Sequence, residues 1–264
     1  MNETELIRHV HRTLVLTVCL LCLAACSSNP DAPHDAPTGV TTDAATQKEA
    51  ELAKQQAEAL RRHLHEKMID HRWLPRSREW EVLAQSAASS RTMMTLFYTR
   101  RTVRKDQRAS GADQAEPDYW NREHLWPRSY GLKATPADRD LHNLVPADRT
   151  VNSSRGNKMF GMATTPHREC SLCRVSATTW EPPDEVKGDI ARVLFYMDVR
   201  YEGDTGLPAD ADLPDLVLAA DADSSGNQIG PVQTLLEWHC EDPVSAEEQR
   251  RQEIIATVQG NRNV

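Results

Sequence analysis

The chain has 264 residues, 39% of them hydrophobic and 27% charged, with a net charge of −8. That suffices for one large domain or two small ones around a modest core, because part of the apolar content is spent before residue 27. The acidic balance excludes a uniformly basic surface, so any contact with phosphates has to rest on a local field.

Arg8 and Arg12 precede an apolar run over 14–25. The run is shorter than the roughly 20 residues a bilayer span requires and has the length of a signal-peptide core. It ends in Leu23-Ala24-Ala25-Cys26, followed by Ser27, and this resembles the bacterial lipobox. The resemblance implies a signal peptide over 1–25, lipidation of Cys26 and a place in the cell envelope. Ser27 in place of Asp implies sorting to the outer membrane, with the acyl chains the sole membrane contact. An ordinary secretory signal with a coincidental cysteine is the alternative. Residues 26–46, rich in Ser, Pro, Asp, Thr and Ala, read as a flexible tether. The folded domain is expected over 47–264.

From residue 47 the composition turns helical, with Leu60, Leu64 and Met68 four apart. His63, His65 and His71 on and after this helix read as solvated. A polar loop at 74–78 leads to a second short helix over 80–88, and 92–102 reads as a strand. The segment 98–108 carries Arg100, Arg101, Arg104, Lys105 and Arg108 against Asp106 alone. Either it is solvated surface or it is one basic face on an acidic protein. A loop over 111–118 precedes two short strands, 119–125 and 140–145. Pro146 then opens a helix through Arg155, weakened at Gly156.

Cys170, Cys173 and Cys240 remain in the mature chain. In an oxidising compartment a disulfide between Cys240 and one of Cys170 or Cys173 is expected, with a partial zinc site as the competing reading. A helix over 185–201 places Val186, Ile190, Val193, Met197 and Tyr201 on one face. The stretch 202–224 holds seven Asp or Glu and no Lys or Arg, and reads as solvated. Helices over 232–240 and 246–258 complete the chain.

Two segments carry the chemistry: WNREHLWPRSYG (120–131) and DLHNLVPADRTVNSSRGN (140–157). Hydrolysing a phosphodiester requires a group that takes a proton from water near neutral pH, for which imidazole is suited. It also requires a hard cation for the growing negative charge, and magnesium takes only one or two protein oxygens. His124 supplies an imidazole, Glu123 a carboxylate and Asn152 an amide oxygen. Neighbours on a regular strand point to opposite faces, so Glu123 and His124 can share a site only if the strand bends or ends there; Pro127 favours an ending. A zinc-protease helix motif is dismissed, because the position four after His124 is Arg128.

The ordered pieces resemble the endonuclease I family of His-Me finger, or ββα-metal, nucleases. The likeness extends through EPPDEVKGDIARVLFYM (181–197), LLEWH (235–239) and QGNRN (259–263). It implies an α+β fold, a mostly helical domain around a short-stranded ββα-metal core. It also implies magnesium-dependent, sequence-nonspecific hydrolysis of DNA, with RNA a further candidate substrate, to 5′-phosphate ends. Calcium or manganese are candidate substitutes in so sparse an oxygen site. On this resemblance His124 is the general base, and Glu123 and Asn152 are the metal ligands. Arg155, three residues after Asn152, is read as stabilising the phosphate or transition state. His142 and Asn143 are supporting residues that orient the base or close the finger, and Arg122 and Arg128 are candidate nucleic-acid backbone contacts. No protein partner is implied. A catalytically inactive, nucleic-acid-binding envelope lipoprotein, or a purely structural one, stays open on sequence alone.

Overall fold

The computed structural model describes residues 44–69, 71–109, 119–203, 205–220 and 226–264. The expected signal peptide, Cys26, the tether up to 43 and the whole loop expected over 111–118 lie outside them. Two compact units divide at Leu64 and His65. Of the first, the described part is helical, belonging to α1 (Ala44–Met68). Helix therefore begins three residues before the expected start at 47.

The second unit is an α+β fold whose strands are short and grouped in small sheets. Helix α2 (Arg76–Ser86) is followed by the antiparallel pair β1 (Met93–Thr95) and β2 (Thr102–Arg104). The single strand expected over 92–102 is thus a hairpin. The Arg101 carbonyl accepts from the Leu96 amide, closing the chain on itself between the two strands. The central motif is β3 (Trp120–His124) antiparallel to β4 (Leu144–Asp148), continued directly by α3 (Arg149–Arg155). Residues 141–143, expected as strand, form a single 3₁₀ turn. Asp140 starts it, its side chain accepting from the His142 amide. Pro146 sits inside β4 opposite Arg122 rather than opening the helix.

A four-stranded sheet in the order β5-β8-β7-β6 follows (Met159–Phe160, Thr179–Glu181, Arg174–Val175, Thr165–Pro166). Helix α4 (Lys187–Arg200) packs against α5 (Val232–Glu241), with the parallel pair β9 (Val217–Leu218) and β10 (Gln228–Ile229) between them in sequence. Helix α6 (Ala246–Gln259) is delimited by its own sequence. The Ser245 hydroxyl accepts from the Glu248 amide, as in the S-x-x-E cap, and Gly260 at φ +100° ends it in the left-handed conformation that glycine adopts without strain.

The core joins α2, α6 and the β3–β4 pair through Val82, Leu83, Met94, Trp120, Leu141, Leu144 and Ile255. Burying this many large side chains, at about 1.5–3 kcal/mol each, fixes the motif on a rigid base. Polar residues read as solvated are also interior. His65 Nδ1 faces the Val199 carbonyl at 2.8 Å and its Nε2 meets Asp210 at 2.8 Å. Arg200 also bonds Asp210, at 3.0 Å, and reaches His71. Asp210, from the acidic stretch, is therefore a buried acceptor held by cations rather than a surface charge. A disulfide joins Cys170 to Cys173, so the expected pairing of either with Cys240 is overturned. Three residues of separation and a local turn bring these two sulfurs together; the Cys173 amide donates to the Cys170 carbonyl.

Candidate active site

Strand β3 ends at His124, and this ending resolves the problem of two neighbouring residues on one site. Glu123 and His124, together with Asn152 from α3, line a single cleft of about 450 Å³. Arg76, Trp80, Asn121, Arg122, Arg128 and Asn157 also border it. The turn after the strand is fixed by Asn143, whose Oδ1 accepts from the Trp126 amide at 2.6 Å and whose Nδ2 donates to the Trp126 carbonyl at 3.1 Å. Asn143 thus ties the 3₁₀ turn before β4 to the chain just after β3. His142 does not approach His124. It is wholly buried, its Nε2 donating to the Asn261 carbonyl at 3.3 Å, and it docks the 259–261 segment instead.

His124 presents its Nε2 to the Asp138 carbonyl at 2.9 Å and to the Asp138 carboxylate at 3.0 Å. Both partners only accept, so Nε2 carries the proton and Nδ1 carries the lone pair. Asp138 is also bonded by Arg128 and by Arg76 at 2.8 Å. Burial alone would raise its pKa, but the hydrogen bonds from His124, Arg128 and Arg76 outweigh it and hold the carboxyl below the usual range.

Glu123 is buried, and both of its side-chain donors fall on Oε1: Tyr98 Oη at 2.8 Å and Arg155 Nη1 at 3.2 Å. Burial pushes its carboxyl up, against the pull of Arg155 and Tyr98. Tyr98 is pushed up in turn, by burial first and then by Glu123. Asn152 donates Nδ2 to Asn121 Oδ1 at 2.8 Å and to the Arg122 carbonyl at 3.2 Å. That pins the amide and leaves its oxygen as the end offered to the cleft. Helix α3 stops beyond it at Gly156, whose φ of +59° disfavours any other residue.

A cation site fits this donor set. Among the described residues no group of three His, Cys, Asp or Glu side chains converges as a metal cage. One carboxylate and one amide oxygen, completed by water, is the sparse hard-oxygen set that magnesium accepts.

Arg155 is placed differently from the sequence reading. It is 0% exposed and does not border the cleft. Its Nη1 donates to the His124 carbonyl at 2.9 Å and its Nη2 to the Leu125 carbonyl at 2.8 Å, and the guanidinium lies 4.4 Å over the Phe160 ring. With no face toward the cleft it braces Glu123 and the end of β3 from behind. Arg122 does border the cleft, over Trp80 at 4.9 Å and paired with Glu79. The basic run resolves into local pairs: Arg100 with Glu185 and Glu247, Arg101 with Asp148, Arg104 with Asp106. Lys105 instead donates to the Arg91 carbonyl at 3.3 Å and Arg108 lies 5.9 Å over the Trp80 ring, so three of the five cations are matched by carboxylates.

Sequence reasoning missed Asp138, Glu79, Tyr98, Asn121 and Arg76. Asp138 and Glu79 look like surface acids in polar stretches. The one available signal was Asp138 lying two residues before the Asp140 that opens the second motif segment.

Comparison with known proteins agrees with the geometry. The family model for endonuclease I matches residues 56–264. The extracellular ribonuclease of Bacillus amyloliquefaciens is 38% identical over 210 residues, covering 78% of this chain and 69% of the relative. The extracellular ribonuclease of Bacillus subtilis (strain 168) is 38% identical over 211 residues, covering 78% and 70%. Endonuclease-1 of Buchnera aphidicola is 26% identical over 130 residues, covering 48% and 43%. With a matched family spanning nearly all of the described chain and the ββα site intact, this chain belongs to the endonuclease I family and is a hydrolytic nuclease.

Proposed function

We propose that this protein hydrolyses RNA as well as DNA, without sequence specificity, leaving 5′-phosphate ends, with His124 as general base. The observation that carries this is the orientation of His124. Its Nε2 is committed to two acceptors on Asp138, so Nδ1 is the basic atom, on the same cleft as Glu123 and Asn152. Nδ1 takes a proton from a water as the water oxygen bonds to phosphorus. The P–O3′ bond then breaks, the leaving oxygen takes a proton from solvent water to become a 3′-hydroxyl, and phosphate stays on the 5′ side. Glu123 and Asn152 would hold a divalent cation, magnesium above all, which when bound supplies positive charge for the phosphate oxygens. Arg155 fixes the Glu123 carboxylate and the carbonyls of His124 and Leu125, so it preorganises the site rather than contacting substrate. Arg122 and Arg128 are backbone contacts, a role that carries no base information. RNA stands beside DNA because the Bacillus relatives are named extracellular ribonucleases. The same names, with the lipobox-like sequence at Cys26, support action outside the cytoplasm on a lipid anchor.

The test incubates purified protein with plasmid DNA and with structured RNA, with magnesium, with chelator, and as His124→Ala. General base catalysis contributes on the order of 10²–10⁴-fold, so cleavage should fall by about that much in the variant while binding persists. Binding without cutting by the wild type would instead mark an inactive tethering protein.

A further inference from the structure

Two buried carboxylates flank the cleft, and each holds two arginines. Asp138 pairs with Arg76 and Arg128, and Glu79 pairs with Arg122 and Arg139. Both carboxylates are 1% exposed in their side chains, whereas Arg76 is 54% and Arg128 47% exposed. One negative charge cannot neutralise two guanidiniums, so each cluster leaves about one positive charge uncompensated. The clusters are built from separated pieces of chain. Helix α2 brings Arg76 and Glu79, and the 3₁₀ turn over 136–139 brings Asp138 and Arg139. Strand β3 brings Arg122, and the segment after it Arg128. In contrast, Arg100 and Arg104 of the basic run meet as many carboxylates as they carry charges, or more.

We propose that Arg76 and Arg128, spread by the Asp138 carboxylate, form a second phosphate subsite next to the scissile position. The inference rests on the nuclease reading and adds a substrate class to it: strands with a phosphate flanking the one being cut. A buried carboxylate holds both guanidiniums at fixed positions on the rim, so little side-chain entropy remains to be lost when phosphate binds. The same Asp138 holds His124 Nε2, so the subsite and the general base are set by one residue. Guanidiniums suit this task, because their planar donors match phosphate oxygens two at a time.

The experiment measures binding of a short fluorescent single-stranded RNA to the full chain in chelator across a salt series, and cleavage of the same RNA with magnesium. Each phosphate contact contributes a slope of about 0.7 in log affinity against log salt for a single strand. Arg76→Ala and Arg128→Ala are each expected to lose about 0.7 of slope, Arg76→Lys to retain it, and Arg104→Ala to leave it unchanged. In cleavage, the wild type is expected to favour a trinucleotide over a dinucleoside monophosphate in kcat/KM, and the double alanine variant to lose that preference. An unchanged slope and an unchanged length preference, in variants that still cut, would overturn the subsite and leave the nuclease reading standing. A wild type that neither binds nor cuts would overturn both.

Discussion

Arg155 reaches Glu123 at 3.2 Å from inside the protein, while its other donors hold the carbonyls of His124 and Leu125. The guanidinium is sealed from the cleft, with Phe160 beneath it. An arginine in this position counters the burial that raises Glu123 and fixes the carboxylate's direction. Breaking one side of a buried ion pair costs about 3–5 kcal/mol.

Arg155→Met is accordingly expected to lower the unfolding free energy by about 3 kcal/mol and to raise the magnesium needed for half-maximal cleavage. The salt dependence of RNA binding should not change, because no phosphate contact is lost. Urea denaturation, a magnesium titration and a salt series read the three effects separately. A reduced salt slope would return Arg155 to the substrate.

Asp138→Asn keeps the backbone acceptor for His124 but removes the negative charge beside the imidazole. The turnover number should fall on the order of tenfold, because orientation of the base is weakened. Single-turnover cleavage at saturating magnesium is the check, and an unchanged rate would remove Asp138 from the positioning of His124.

His142 gives stability a defined pH dependence. Burial first, aided by Arg251, pushes its pKa from 6.5 down to about 4, against the opposing pull of Asp140. Between those values the unfolded chain binds a proton that the folded chain refuses, so stability present above pH 6.5 is lost as the pH falls toward 4. The loss amounts to about 3 kcal/mol. Asp140 adds a second loss further down, between its ordinary value of 3.8 and about 2. Urea unfolding of the wild type and of His142→Gln at neutral and mildly acid pH is the check. The variant should lose less stability than the wild type across the upper window, where His167 and His239, also lowered by burial, still contribute; an equal loss in both proteins would remove His142 as a cause.

The Cys170–Cys173 bridge closes only a short loop. Chain entropy assigns so small a ring about 2 kcal/mol, less than the long-range bridge expected from sequence would contribute. Cys170→Ser with Cys173→Ser is expected to lower stability by no more than about that amount and to leave cleavage intact. Non-reducing peptide mapping should find both cysteines in one crosslinked peptide.

Much of the site was legible because its chemistry is concentrated in short, ordered segments. Glu123, His124 and Asn152 announce themselves by residue type and order, and the strand had to end at His124 for the first two to serve together. The residues that surround them carry no local signal. Tyr98 reads as part of a strand, yet it leaves the hairpin and donates to Glu123 from 25 residues away. Asp138 and Glu79 carry no mark of burial in the sequence, and the arginines that hold them come from other elements. His65 and Asp210 lie 145 residues apart, so neither could be recognised as the other's partner. Helices were read to within a few residues because their period is local. Two strands were misplaced because strands of three to five residues are set by tertiary pairing, not by propensity.

Asp140 is held by Tyr196, Tyr201 and Gln259, and Asn261 reaches Gln259, Tyr196 and the Met68 carbonyl. Gln259 lies 119 residues downstream of Asp140. A polypeptide emerging in order therefore carries Glu123, His124 and Asn152 of the proposed site by residue 152 while the turn before β4 still lacks its clasp. Cutting power belongs to the chain only once its far end has threaded home, and a half-made copy has the tools without the vice that holds them.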